Sequence, residues 1–109
     1  MEAQPRELRF FETEGGVAPC RDWLERVETS RNSMYGTVLA RLDRVQEGNF
    51  GDCKNLKDGV WELRIDAGPG YRVYFGEDNN LVVLLLGGTK QTQARDIVAA
   101  KQYWSYYNA

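Results

Sequence analysis

Between Val60 and Lys90 the chain alternates polar and apolar residues with a period of two, the repeat of a strand. Val60–Asp66 predicts one strand, with Glu62, Arg64 and Asp66 on one face. Ala67-Gly68-Pro69-Gly70 predicts a turn, and Tyr71–Gly76 the next strand, with Arg72 and Tyr74 on one face. Glu77-Asp78-Asn79-Asn80 closes a second hairpin. Leu81–Leu86 is apolar at every position, as expected of a central strand covered on both sides. Gly87-Gly88 is expected to end it.

Elsewhere the period changes. Arg6–Glu12 carries a short apolar patch that predicts a first strand, broken by Glu14-Gly15-Gly16. Pro19 suits the first turn of a helix, and Trp23, Leu24 and Val27 follow at helical spacing, so Pro19–Glu28 is predicted helical. Thr29–Ser33 offers turn and N-cap chemistry. Met34, Val38, Leu42 and Val45 mark the stripe of a second helix, with Gly48 as its stop. Asn49–Gly59 reads as a polar loop anchored by Phe50 and Leu56. From Thr92 to Tyr107 the pattern is helical again, with Ile97, Ala100 and Trp104 inward. The order is β-α-α-β-β-β-α, an α+β domain over residues 1–109 with a mainly antiparallel four-stranded sheet.

Composition narrows the chemistry. The 109 residues carry a net charge of −2, which argues against strong non-specific nucleic-acid binding. The deficit is local: residues 1–53 sum to −3 and residues 54–109 to +1. With no histidine, the commonest general base, Ser-His or Cys-His nucleophiles and most zinc sites are excluded, and neither a metal nor a cofactor is expected. Cys20 and Cys53 are far apart and read as reduced thiols. Leu81–Leu86 is too short to span a bilayer. A cytoplasmic protein that does not engage membranes is expected.

The polar stripe supplies the candidate site. Arg64 and Arg72 sit mid-strand, and a guanidinium offers paired planar donors suited to phosphate. Either could instead be an ion-pair partner of Glu62, Asp66 or another acid. Glu62 could serve as a general base or simply balance Arg64. Gly87-Gly88-Thr89-Lys90 lets backbone approach a ligand and projects Lys90 near a phosphate, or else forms a turn with a solvated lysine. It lacks the spacing of a Walker loop. The aromatic tail Tyr103-Trp104-Ser105-Tyr106-Tyr107 suits base stacking or, more simply, packing of the last helix.

Three segments carry a family resemblance: Asp58-Gly59-Val60-Trp61-Glu62-Leu63-Arg64-Ile65-Asp66, Gly68-Pro69-Gly70-Tyr71-Arg72-Val73-Tyr74 and Leu85-Leu86-Gly87-Gly88-Thr89-Lys90. With Asp96-Ile97 through Ala100-Lys101-Tyr103-Trp104, the chain resembles the RelE/ParE toxin superfamily, in its HigB-like addiction-module-killer branch. The resemblance implies a RelE-like fold and the toxin of a type II toxin–antitoxin module. Its implied partner is a helix-turn-helix antitoxin from an adjacent gene. Its implied activity is metal-independent cleavage of mRNA on the ribosome, the ribose 2′-hydroxyl attacking its own 3′ phosphate. On that pattern Arg64, Arg72 and Lys90 stabilise phosphate, Glu62 or Lys90 moves protons, and Tyr71 or Tyr74 positions the nucleotide. Two positions depart: Glu62 stands where RelE has a lysine, and Asp96 is nearest its helical tyrosine. The alternatives are a ParE-like DNA gyrase inhibitor without nuclease activity, and an inactive antitoxin-binding subunit.

Overall fold

The chain runs β1 (Glu7–Phe10), α1 (Pro19–Thr29), α2 (Tyr35–Gln46), β2 (Cys53–Asn55), β3 (Trp61–Ile65), β4 (Tyr71–Asp78), β5 (Leu81–Thr89), a 3-10 turn (Lys90–Thr92) and α3 (Gln93–Tyr107). This computed structural model describes residues 4–31 and 33–109, so Asn32, within the turn expected at Thr29–Ser33, lies outside the described residues. The sheet order is β1-β5-β4-β3-β2. β1 lies parallel to β5, and the other pairs are antiparallel.

The expected α+β arrangement is present, with five strands rather than four. The added strand, β2, falls inside the segment read as a polar loop and pairs Cys53 with Leu63 and Asn55 with Trp61. Three residues are too few for a period of two to stand out. β5 also continues through Gly87 and Gly88, opposite Val73 and Arg72, instead of stopping at Leu86. The ladder with β4 holds these glycines extended, and neighbours occupy the space where side chains would stand. A Cβ on Gly87 would collide with the Trp23 ring, and one on Gly88 with the Asp96 carboxylate.

Two apolar layers flank the sheet. On one face Trp23, Leu24 and Val27 of α1 and Val38, Leu42 and Val45 of α2 pack on Leu63, Ile65, Val73, Phe75, Val82 and Leu84. On the other, Ala100, Ile97 and Trp104 of α3 cover Val60, Tyr74, Val83 and Leu85. The β4–β5 register slips between Tyr74 and Phe75, which pair with Leu86 and Leu84. Leu85 is thereby left without a partner, and it shares the α3 side with Leu86. Met34, expected on the inner stripe, is exposed at the start of α2. Among the described residues no helix is long and apolar enough to cross a membrane.

Candidate functional site

The strand register places two polar rows under the first turns of α3. In one row Lys54, Glu62, Tyr74 and Leu86 are successive partners across β2, β3, β4 and β5. In the next, Arg64 lies opposite Arg72, and Arg72 opposite Gly88. Like charges directly opposite one another are unfavourable unless an anion lies between them.

Glu62 is fully buried, at 0% exposure. Arg64 Nε donates to its Oε1 at 2.8 Å, and Gln93 Nε2 donates to its Oε2 at 2.7 Å. Burial pushes the Glu62 carboxyl up, but the hydrogen bonds from Arg64 and Gln93 and the charges of Arg64 and Arg72 outweigh it and hold it below the usual carboxylate range. The same hydrogen bond and the Glu62 charge raise Arg64 further. The Arg64 side chain stays 35% exposed, so its remaining N–H groups face outward from the pinned Nε.

Arg72 has no such anchor. Its Nη1 donates to the Tyr71 carbonyl at 3.2 Å, while its buried Nε has no hydrogen-bond partner and it forms no ion pair among the described residues. The Tyr74 hydroxyl is likewise buried without a partner. Burial pushes its pKa up; the negative charges of Glu62 and Asp96 and a weak hydrogen-bond interaction with the Glu62 carboxylate add to this, and Arg72 opposes it. Asp96, nearly buried, accepts a hydrogen bond from the Thr92 hydroxyl and lies over Gly88. Lys90 is exposed at the corner of this face, where its backbone N–H donates to the Gly70 carbonyl at 2.8 Å. A side chain on Gly70, whose φ is +76°, would meet both Lys90 Cβ at 3.4 Å and Arg72 Nη1 at 3.5 Å. The β3–β4 turn therefore brings these two cations to one corner.

Residues 22–104 match the family of phage-derived Gp49-like proteins (DUF891). The chain belongs to the Gp49-like family. This is, in general terms, a RelE-like toxin family. A relative from Haemophilus influenzae, described as an uncharacterized protein, is 50% identical over 80 residues, covering 72% of this chain and 79% of its own. The family match starts within α1 and ends within α3, so it contains every group just described.

Of the residues singled out from the sequence of this Gp49-like chain, the fold gathers Glu62, Arg64, Arg72 and Tyr74 on one face, with Lys90 at its edge. Tyr71 is not among them. It points to the opposite face, where its ring meets Trp23 edge-on at 5.9 Å. Asp66 lies exposed beyond the end of β3. Sequence reasoning missed Gln93, which binds Glu62 from 31 residues away, and Lys54, which faces Glu62 across β2. The alternation of Cys53 and Lys54 was the one available signal for Lys54. A depression of about 680 Å³ lined by Asp58, Lys101, Trp104, Ser105 and Asn108 lies toward the other end of α3 and contains none of these groups.

Proposed function

We propose that this Gp49-like protein is the toxin of a toxin–antitoxin module, of the HigB-like kind, and that it cleaves mRNA on the ribosome without a metal. The observation that carries this reading is the pair Arg64 and Arg72, directly opposite in the sheet with Arg72 left without a counter-ion. A phosphate between them would relieve the repulsion and accept from the guanidinium N–H groups that Glu62 and the Tyr71 carbonyl leave over.

The chemistry is an in-line transfer. The ribose 2′-oxygen forms a bond to the adjacent phosphorus, and the bond from phosphorus to the 5′-oxygen breaks, giving a 2′,3′-cyclic phosphate. The proton lost from the 2′-hydroxyl goes to solvent or a ribosomal group, and the 5′-oxygen gains one. Arg64 and Arg72 stabilise the charge that builds on the phosphoryl oxygens, and the exposed Lys90 ammonium donates to the leaving oxygen. Glu62, with both oxygens already occupied, orients Arg64 rather than taking the proton. Tyr74 lies beneath this layer and backs Arg72. Because the chain has net charge −2, the ribosome supplies much of the grip on RNA. The antitoxin is expected to be a helix-turn-helix protein encoded alongside.

Arg72→Ala should abolish growth arrest while leaving the far-ultraviolet spectrum and unfolding midpoint close to wild type, since losing one such donor costs on the order of 10²–10³ in rate. Arrest equal to wild type would remove Arg72 from the chemistry. Mapping mRNA ends after induction should reveal cyclic phosphates. Intact mRNA with inhibited supercoiling would instead assign the protein to the ParE-like, gyrase-binding class.

A further inference from the structure

We infer that Gln93, the first residue of α3, is a positioning residue for Arg64 and acts through Glu62. The functional consequence rests on the nuclease reading above, while the contact itself does not.

Glu62 has little freedom left. Its carboxylate is sealed from solvent, and each oxygen already accepts a short hydrogen bond, one from β3 and one from α3. A carboxylate so held is a poor proton acceptor and a good anchor. The anchored group is Arg64 Nε, and fixing Nε fixes the plane of the guanidinium and so the direction of its outward N–H groups. An arginine held only by its stem would sample many rotamers.

Gln93 suits this task by residue type. Its amide donates to the second oxygen without cancelling the charge that holds Arg64. A lysine there would compete with Arg64 for the carboxylate, a glutamate would repel it, and a leucine would leave a buried oxygen without a donor. The turn before α3 fixes Gln93 in place. The Thr89 N–H donates to the Thr92 hydroxyl at 3.1 Å, and that hydroxyl in turn donates to Asp96. One short stretch thus sets Gln93 above Glu62, which holds Arg64, and Asp96 above Gly88, which lies opposite Arg72. The charged and titratable groups facing Glu62 are Lys54 from β2, Arg64 from β3, and Arg72 and Tyr74 from β4, with Asp96 on the α3 side acting on Tyr74.

A swap tests the relay. In the double variant Glu62→Gln/Gln93→Glu both hydrogen bonds can be rebuilt. Arg64 Nε then donates to the amide carbonyl introduced on β3, and the amide N–H of that same side chain donates to the carboxylate introduced on α3. Single-turnover cleavage on programmed ribosomes should fall about tenfold or more in kcat for each single variant, with little change in KM, and the double variant should recover most of the loss. A double variant no better than the worse single variant overturns the relay. A second measurement needs no cleavage. The Glu62 carboxyl, followed by carbon-13 NMR in Gln93→Leu, should titrate at higher pH than in wild type, and the slowly exchanging Arg64 Nε–H signal should be lost. An unchanged titration and an intact Nε–H signal also overturn the relay. If wild type cleaves no RNA, the nuclease reading fails by itself, and the NMR result still decides whether Gln93 holds Glu62.

Discussion

Replacing Tyr74 by phenylalanine should make the protein more stable, the reverse of the usual result for a buried tyrosine. The ring is part of the layer under α3, packed with Val83, Leu85 and Ala100, and phenylalanine keeps that packing. What is lost is a hydroxyl that is fully buried and has no hydrogen-bond partner. It lies close enough to the Glu62 carboxylate for a weak hydrogen-bond interaction to add to its upward pKa shift, yet the two groups miss the geometry of a formed hydrogen bond. Burying a hydroxyl without a partner costs about 1–3 kcal/mol, and a satisfied one contributes about 1 kcal/mol. Tyr74→Phe is therefore expected to gain about 1 kcal/mol, seen as a rise of about 4–8 °C in Tm for a chain of this size. Urea unfolding should show a higher midpoint with unchanged slope. On the proposed reading the same variant should arrest growth more weakly, because the hydroxyl lies near the unanchored Arg72; stabilising changes at working sites commonly cost activity. A loss of about 1 kcal/mol would refute the reasoning, since it would mean that the hydroxyl is bonded in solution, through Glu62 or a water shared with Arg72 Nε.

Three other outcomes are expected. Because the folded-state pKa of Glu62 is depressed, its contribution to stability is complete above its unfolded value of about 4.3 and is lost as pH falls through the folded value. The stability gap between wild type and Glu62→Gln should shrink in acid, and a gap that stays constant from about pH 6 to pH 3 would contradict this. Arg41→Ala should lose about 1.5–3 kcal/mol in urea unfolding, because its Nη2 donates to the carbonyls of Phe50 at 3.0 Å and Arg64 at 3.3 Å and so ties α2 to β3; a change within error would show those bonds to be idle. Cys20, fully buried with its thiol pushed up to about 12, should resist a thiol reagent at about pH 8 until the protein unfolds, whereas the half-buried Cys53 should label first.

The strands of the site were legible because their side-chain alternation is long enough to count. Placing Arg64 and Arg72 across from each other needed only the hairpin between them. The same period of two separates Tyr71 from Arg72 and Tyr74, so the sequence already held the evidence that Tyr71 faces the other way. β2 was not legible, since three residues show no period, and Lys54 was lost with it. Neither was the role of Glu62. Base and counter-ion look identical along the strand, and the observation on which the proposed reading chooses between them is Gln93, a residue brought close only by the docking of α3. The extension of β5 through two glycines was hidden for a related reason. Gly87 and Gly88 are held in the ladder with β4, and what requires glycine there is Trp23 on one face and Asp96 on the other, contacts between elements rather than propensities within one.

A net charge of −2 suits a polyanion binder poorly until depth is considered. At this face two acids, Glu62 and Asp96, lie inside and most of the cations outside. Glu62 and Asp96 are 0% and 6% exposed, while Lys54 and Lys90 are exposed and Arg64 is partly so. A buried carboxylate that accepts hydrogen bonds from an arginine and an amide projects little negative field to solvent, because its donors stand between it and the water. Of the surface acids of the N-terminal half, Asp52 does lie beside Arg64, whose backbone N–H donates to its carbonyl at 2.9 Å, and salt screens exposed charges beyond about 8–10 Å. On the proposed reading, total charge sets how weakly the free protein holds RNA, and the layering at β3 and β4 sets where a phosphate is welcome. On the proposed reading that division has a use. A toxin with a small cationic patch on an acidic body would bind free RNA poorly and act where another surface presents the strand to it. It also explains how an acid can stand at position 62: placed below the arginines rather than beside the phosphate, it aims a cation and does not repel the substrate.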